Sequence, residues 1–180
     1  MQIVGIAGAA RSGKDTLSGF LEDFHDFKRV ALADPLRQFI SVLTGIPFDE
    51  LLDSQAKETP LPAFGGKTPR ELMQSLGTEW ARNHVAKDAW LTVATREVNK
   101  ARAEGYAGVV VPDIRYDNEA EWIRSMGGMV VHLSRADRPA VSGSDHASEQ
   151  GISEALIDLR FTNDGPVHRL CRLAGLLAHA

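Results

Sequence analysis

Short apolar runs alternate with amphipathic stretches along most of this chain. The runs that predict strands lie at residues 2–7, 29–32, 108–113, 129–134 and 159–162. Stretches with apolar residues at helical spacing follow most of them, the first carrying Leu17, Phe20, Leu21 and Phe24. Strands that alternate with helices favour a parallel sheet with helices on both faces. The pattern predicts an α/β fold, a three-layer α/β/α sandwich with about five parallel strands.

Capping residues mark the starts of several predicted helices. Asp34 is expected as the N-cap of one helix, and Thr68 with Glu71 has the pattern of a capping box at the start of another. Residues 46–67 between them contain prolines and glycines without a sustained period, so we expect a long, mobile excursion that serves as a lid or binding loop. The predicted helices lie, in chain order, at residues 14–24, 34–44, 68 onward, 88–105, 117–127 and 166–177.

Composition narrows the class of protein. The chain has 180 residues, 43% of them hydrophobic and 24% charged, which fits one globular domain. Its net charge of −4 gives no general attraction to nucleic acid or to anionic membranes. Cys171 is the one cysteine, which excludes an intrachain disulfide, and we expect its thiol to be buried and inert. No apolar run is long enough to span a membrane, so the expected location is cytoplasmic.

The residues between the first strand and the first helix have the pattern of a phosphate-binding loop, or P-loop. Gly8 and Gly13 belong to the pattern G-x-x-x-x-G-K, which ends at Lys14. The glycines allow successive backbone N–H groups to converge on phosphate oxygens, and the helix N-terminus and the lysine add positive charge. Thr16 offers a hydroxyl to Mg²⁺, one residue later than the strict pattern, in which Asp15 would be Ser or Thr. The motif predicts binding of a nucleoside triphosphate.

Charged residues near the predicted strand ends extend this site. Asp113 ends an apolar strand, where a carboxylate beside a P-loop holds Mg²⁺ directly or through water. Phosphoryl transfer also requires positive charge around the moving group. Arg70 lies in the first turn of the capped helix, where it is expected to bind a monophosphate, and Arg135 or Arg138 is expected to close over the reaction. The other candidate arginines are Arg11, Arg82 and Arg115.

Two further features have competing interpretations. The polar segment 135–150 includes Asp145 and Glu149. A lid hinge with substrate hydrogen bonding is favoured over a zinc site or a Ser-His-Asp triad, and a solvated loop stays an open alternative. Trp80 and Trp90 could stack on a nucleotide base, but packing among apolar helices is the preferred interpretation for both.

Several motifs, in order along nearly the whole chain, resemble those of the phage-type deoxynucleoside monophosphate kinases. They are R-S-G-K-D-T at 11–16, L-A-D-P-L-R at 32–37, T-P-R-E-L-M-Q at 68–74, L-G-T-E at 76–79, V-V-P-D-I-R at 110–115, N-E-A at 118–120, D-H at 145–146, S-E at 148–149 and N-D-G at 163–165. The P-loop alone is shared with many nucleotide-binding proteins. The ordered set is far more specific to this family.

The resemblance implies a P-loop kinase fold and transfer of the γ-phosphoryl of ATP to a deoxynucleoside monophosphate, with ATP and Mg²⁺ as the expected donor and cofactor. It implies one kinase domain over residues 1–180. Within it, the core would take residues 1–45 and 105–180, an acceptor-binding helical insertion about 46–104, and a lid about 135–150.

Site residues carry over from the family by position. The resemblance assigns the ATP phosphates to Arg11, Gly13, Lys14, Asp15 and Thr16, and the adenine to Asn163, Asp164 and Gly165. Gly8 and Ser12 are added to the ATP site because they belong to the same loop. The resemblance assigns the monophosphate substrate to Asp34, Arg70 and Gln74. Arg115, Asp145 and Glu149 are further substrate-binding candidates because of their charge and their place in polar segments. The resemblance also assigns Mg²⁺ to the loop that ends at Thr16, and Asp113 joins this site because of its position at a strand end. The expected catalytic cations are Lys14, Arg70, Arg135 and Arg138. Ala10 stands where the family can have a lysine that reaches the acceptor phosphate, so the acceptor preference stays open.

Two other functions remain alternatives. The chain could be a P-loop kinase of another small phosphorylated metabolite, because a fold does not determine a substrate. It could also be a nucleotide-binding switch without catalytic activity, in which case turnover would not depend on an acceptor. The expected partner is a small-molecule substrate rather than nucleic acid or a membrane. The preferred base, the choice between deoxyribose and ribose, and the formation of a homodimer stay open.

Overall fold

Five parallel strands form one sheet in this computed structural model, which describes residues 1–135 and 151–180. Their order across the sheet is β2-β3-β1-β4-β5. The strands are β1 (Gln2–Ala7), β2 (Phe27–Arg29), β3 (Gly108–Ile114), β4 (Met129–Ser134) and β5 (Leu159–Thr162). The predicted α/β class with five parallel strands is confirmed.

Seven helices accompany the sheet in the described part of the chain. They are α1 (Lys14–His25), α2 (Asp34–Thr44), α3 (Ser54–Glu58), α4 (Pro69–Gln74), α5 (Ala89–Glu104), α6 (Asp117–Ser125) and α7 (His168–Ala178). A π-helical stretch, Ser75–Val85, directly follows α4. Short 3₁₀ turns lie at Glu50–Leu52, Pro62–Phe64 and Glu154–Leu156. None of the described helices is long and apolar enough to cross a membrane.

The chain forms two compact units. One comprises Met1–Ala31 and Val93–Ala180 and contains the whole sheet, so we call it the sheet unit. The other comprises Leu32–Thr92 and is helical, so we call it the helical unit.

Helices cover both faces of the sheet unit. Val4 and Ile6 of β1 share one core cluster with apolar residues of α1 and α7. The alternate residue Gly5 lies against α6, where an added Cβ would be 2.9 Å from Ile123 Cγ1. Because side chains alternate along a strand, β1 is buried on both faces. The expected three layers are therefore present in this unit.

Two sequence expectations for the sheet unit are wrong in detail. The second strand is Phe27–Arg29 rather than 29–32. Val30 still donates its N–H to Val110 O at 2.9 Å, but residues 30–32 lie beyond the end of the strand. Their apolar side chains are buried, and this run of apolar residues predicted a longer strand. Cys171 is half-buried rather than buried.

The helical unit confirms the capping box and corrects two other expectations. Thr68 Oγ1 accepts from Glu71 N–H at 3.2 Å, and the Glu71 carboxylate accepts from Thr68 N–H at 2.7 Å. Asp34 is the first residue of α2 and not its N-cap, since its carboxylate bonds to Arg37 instead of the backbone. The segment 46–67 is not irregular throughout, because it contains α3, whose N-cap Asp53 accepts from the N–H groups of residues 55 and 56.

The two tryptophans of the helical unit differ. Trp90 is half-buried and donates its indole N–H to Gly77 O at 2.9 Å, as the packing interpretation expects. Trp80 is 54% exposed, so the packing interpretation is wrong for it. Trp80 lies in the π-helical stretch, which has more residues per turn than the 3.6 assumed in assigning its face.

Candidate active site

A glycine-bounded loop connects β1 to α1 across residues 8–13. Gly8 has φ +137° and Gly13 has φ +106°, values that L-residues with side chains rarely adopt. An added Cβ at Gly8 would lie 2.1 Å from Leu133 O, and one at Gly13 would lie 2.6 Å from Asn163 Nδ2. Both positions therefore require glycine, because of their positive φ and because neighbouring atoms leave no room for a Cβ. This is the reason the P-loop motif has glycine at these positions.

The P-loop lysine folds back over this loop. Lys14 Nζ donates to Gly8 O at 2.8 Å and to Ala9 O at 2.7 Å. Arg11 has a positive φ of 62°, which is uncommon for a non-glycine residue. The lysine ammonium group thus lies at the N-terminus of α1, where backbone N–H groups and the helix dipole favour an anion.

Acidic and hydroxyl side chains follow the lysine. Asp15 pairs with Arg29 of β2, with 3.2 Å between the carboxylate and the guanidinium. The Asp15 side chain is 90% exposed, so this pair contributes little to stability. Thr16 is also exposed, one residue further along α1, and is available to a ligand from solvent.

A bulge in β3 determines where Asp113 lies. β1 pairs Gly5 with Val111 and Ala7 with Ile114, so β3 has one extra residue in this interval. An extra residue reverses the faces of the side chains that follow it. Ile114 accordingly lies against Gly5 on the α6 face, 3.2 Å from the position of an added Cβ. Asp113 lies within this irregular interval at the carboxyl end of β3, the edge of a parallel sheet where ligands bind.

A pocket of about 350 Å³ lies beside the P-loop, within the range of small-molecule sites. It is lined by Arg11, Gly13, Asp15, Thr16, Arg135, Asn163, Gly165, Val167 and Leu170. All but the last two were candidates from the sequence. Val167 is 59% exposed just before the amphipathic helix α7, and nothing in its residue type distinguishes it in the sequence from other apolar residues near helix starts.

Two residues of the segment after β5, Asn163 and Asp164, make three contacts with their surroundings. Asn163 donates its side-chain amide to Ser12 O at 3.0 Å and its backbone N–H to Ser134 O at 2.8 Å. Asp164 pairs with Arg169 of α7. This segment therefore contacts the P-loop directly.

Sequence reasoning assigned no role to His132, which lies on β4 opposite Ala7 and Arg160 of the neighbouring strands. Burial lowers the pKa of His132 because it disfavours the imidazolium, and the nearby positive charge of Arg160 lowers it further. Glu154 opposes this shift, and Lys14 adds to it. The imidazole is therefore kept neutral beside the cationic P-loop.

This lowered pKa predicts a pH dependence of stability. The folded state favours neutral His132, so its stabilising contribution is complete above the unfolded pKa of 6.5 and is lost as the pH falls through the lower folded pKa. We expect His132→Gln to reduce the decline in the free energy of unfolding between about pH 7.5 and pH 5.5. Urea unfolding of both proteins at the two pH values measures this, and equal declines would contradict the expectation.

The helical unit holds the predicted acceptor residues. Arg70 of α4 pairs with Glu58 of α3, and Asp34 pairs with Arg37 within α2. Gln74 is half-buried at the end of α4, four residues after Arg70 and hence on the same helix face. Arg37 was not singled out from the sequence, although its side chain is only 13% exposed and its Nε is buried without a hydrogen-bond partner.

Of the remaining site residues predicted from the sequence, one lies in the described part of the chain and three lie outside it. Arg115 is half-buried directly after β3, and its backbone N–H donates to the Glu119 carboxylate at 2.7 Å. Arg138, Asp145 and Glu149 lie outside the described residues. The described part of the chain contains no group of three or more His, Cys, Asp or Glu side chains arranged to hold a metal ion.

A parallel sheet whose first strand leads through a glycine-bounded loop and a lysine into a helix defines a P-loop nucleotide-binding protein. Residues 66–173 match the family described as deoxynucleotide monophosphate kinase, which is more than half of the chain. The chain belongs to the deoxynucleotide monophosphate kinase family, as the sequence motifs predicted.

Viral proteins are among its relatives. A protein of Acanthamoeba polyphaga mimivirus, named provisionally as a deoxynucleotide monophosphate kinase, is 30% identical over 83% of this chain and 81% of its own length. The deoxynucleotide monophosphate kinase of Enterobacteria phage T4 is 24% identical over 94% of this chain and 95% of its own length. A solved shikimate kinase from Bacteroides thetaiotaomicron has a TM-score of 0.42 at 19% identity, covering 98% of each chain.

Proposed function

We propose that this chain transfers the γ-phosphoryl group of ATP to a deoxynucleoside monophosphate, forming a deoxynucleoside diphosphate and ADP. The observation that carries this proposal is the family match over residues 66–173, which does not include the P-loop at residues 8–16. The loop geometry around Gly8 and Gly13 is therefore independent support for a triphosphate donor.

On the donor side, Lys14 and the backbone N–H groups of the loop bind the β- and γ-phosphates. Arg11 and Arg135 line the adjoining pocket and add positive charge around the nucleotide. Thr16 and Asp113 fit Mg²⁺, because a hydroxyl and one carboxylate together with substrate phosphates are the oxygen ligands it commonly takes. Bound there, Mg²⁺ would neutralise charge on the phosphate oxygens.

On the acceptor side, Arg70 and Gln74 share a helix face that binds the monophosphate, and Asp34 holds the guanidinium of Arg37. An oxygen of the acceptor phosphate attacks the γ-phosphorus, and the bond from that phosphorus to the β,γ-bridging oxygen breaks. ADP leaves with the electron pair. No strong general base is required, because the acceptor phosphate is already anionic at neutral pH.

The proposal keeps the lid expected at residues 135–150 with its arginines Arg135 and Arg138, of which Arg138 lies outside the described residues. A closed lid excludes water, which would otherwise accept the γ-phosphoryl group and hydrolyse ATP. The two arginines then add charge stabilisation in the transition state. Low ATP hydrolysis without an acceptor is therefore expected.

The proposal predicts that Arg70→Gln weakens acceptor binding selectively. The substitution removes one charge-assisted contact with the monophosphate. We therefore expect KM for the deoxynucleoside monophosphate to rise by about tenfold or more, and KM for ATP to change little. Steady-state kinetics with each substrate varied in turn measures both constants. Arg102→Gln, an exposed arginine near the end of α5, is the matched control. Equal effects of Arg70→Gln on both KM values would contradict this role.

A substrate panel tests the proposed function itself. ADP formation from ATP and Mg²⁺ is measured with each deoxynucleoside and ribonucleoside monophosphate in turn. Turnover that depends on one or a few deoxynucleotides supports the proposal and identifies the preferred base and sugar. ATP binding without turnover on any nucleotide would favour another metabolite or a switch. Light scattering during size-exclusion chromatography tests for a homodimer.

A further inference from the structure

Asn163 connects three parts of the sheet unit. Its backbone N–H donates to Ser134 O at the end of β4, and the preceding residue belongs to the end of β5. Its side-chain Nδ2 donates to Ser12 O in the P-loop at 3.0 Å. The residue is thus fixed to two strand ends and reaches across to the phosphate-binding loop.

The Ser12 carbonyl that accepts this hydrogen bond belongs to the Ser12–Gly13 peptide, and the orientation of this peptide determines where the Gly13 N–H points. In a planar trans peptide, the C=O of Ser12 and the N–H of Gly13 point in opposite directions. A hydrogen bond that holds the carbonyl toward Asn163 therefore directs the Gly13 N–H away from Asn163. Gly13 has φ +106° and, as a glycine, could allow this peptide to rotate in the absence of a restraint.

The contact between the Asn163 amide and the Ser12–Gly13 peptide is close and largely shielded from solvent. Ser12 is 1% exposed, so water does not substitute easily for the amide of Asn163 at this carbonyl. The separation of 2.6 Å between Asn163 Nδ2 and an added Cβ at Gly13 shows that the amide packs directly against the glycine. The amide and the glycine therefore form one packed contact.

We propose that Asn163 is a positioning residue for the P-loop, which keeps the Ser12–Gly13 peptide oriented so that the Gly13 N–H faces the donor phosphates. This role rests on the proposed kinase function and differs from contact with adenine, which the family resemblance implies for the same segment. The preformed loop binds the phosphates whatever base the nucleotide carries.

Ligands with and without a base separate the two roles. Isothermal titration calorimetry is performed with MgATP, MgGTP and inorganic tripolyphosphate on the wild type and Asn163→Leu, which keeps the approximate size and removes the donor. Asn163→Ala is the second variant in case leucine does not fit. Asn99→Leu on the exposed face of α5 is the matched control, and thermal unfolding of each variant reports whether the fold is retained.

The positioning role predicts weaker binding of all three ligands by a similar factor, about tenfold, in folded Asn163 variants. Weaker binding of MgATP alone would show that Asn163 recognises adenine, and it would overturn the inference. Unchanged binding of all three ligands would also overturn it. A wild type that binds MgATP but not tripolyphosphate would contradict a preformed loop. A wild type that binds none of the three would overturn the proposed function, and this inference with it.

Discussion

Lys14→Met is expected to lower kcat for deoxynucleoside diphosphate formation by on the order of 10²–10³, because it removes a full positive charge from the site where charge moves in phosphoryl transfer. The lysine Nζ lies against Gly8 O and Ala9 O, so it is already located at the phosphate-binding loop. Methionine retains most of the apolar stem. We therefore expect a loss of stability of about 1–3 kcal/mol, because the substitution removes two hydrogen bonds from a charged donor.

Lys100→Met is the matched control for this prediction. Lys100 is exposed on α5 and makes only a long surface ion pair with Glu104, at 4.0 Å. Its removal should leave kcat unchanged. Steady-state rates and urea unfolding of both variants separate a catalytic loss from a structural one. Retention of wild-type turnover in a folded Lys14→Met protein would show that the P-loop lysine does not stabilise the reaction.

Gly8→Ala is expected to destabilise the sheet unit by about 3 kcal/mol or more and to abolish nucleotide binding. The new Cβ would meet Leu133 O at 2.1 Å, and this is a backbone atom of β4 that cannot rotate aside. The φ of +137° adds strain for any residue with a side chain. Urea unfolding and calorimetry with MgATP measure the two effects.

Gly19→Ala provides a control of opposite sign. Gly19 lies within α1, and an added Cβ there meets nothing within 4 Å. Alanine in a helix interior is favoured over glycine by about 0.5–1 kcal/mol, so this variant should be slightly more stable than the wild type. If Gly8→Ala were as stable as Gly19→Ala, the close approach of the P-loop to β4 would be contradicted.

Local pattern was sufficient to predict most of the sheet and the loop. Residues 108–113 are a continuous apolar run because β3 is buried on both faces, and runs of that kind identify interior parallel strands. The P-loop was predictable from residue types. Its glycines adopt backbone conformations that other residues rarely adopt, and its lysine supplies a positive charge. The family match agrees with the motifs that the sequence displays.

Features that depend on distant parts of the chain could not be predicted from pattern. The extra residue of β3 near Asp113 appears only in its pairing with β1, which is a property of two strands together. The bond from Asn163 to Ser12 joins residues 151 positions apart, and neither residue type indicates the other as its partner. The exposure of Trp80 follows from a π-helical stretch that the apolar spacing did not indicate.

Transfer of the γ-phosphoryl group to a nucleotide is the central claim. ATP labelled at the γ-phosphorus is incubated with Mg²⁺, the protein and the preferred deoxynucleoside monophosphate, and the products are separated by chromatography. We predict that the label appears in the deoxynucleoside diphosphate, with little in inorganic phosphate, and that Lys14→Met suppresses this transfer. Label released only as inorganic phosphate, at a rate independent of the acceptor, would contradict the claim and identify a nucleotide hydrolase or switch.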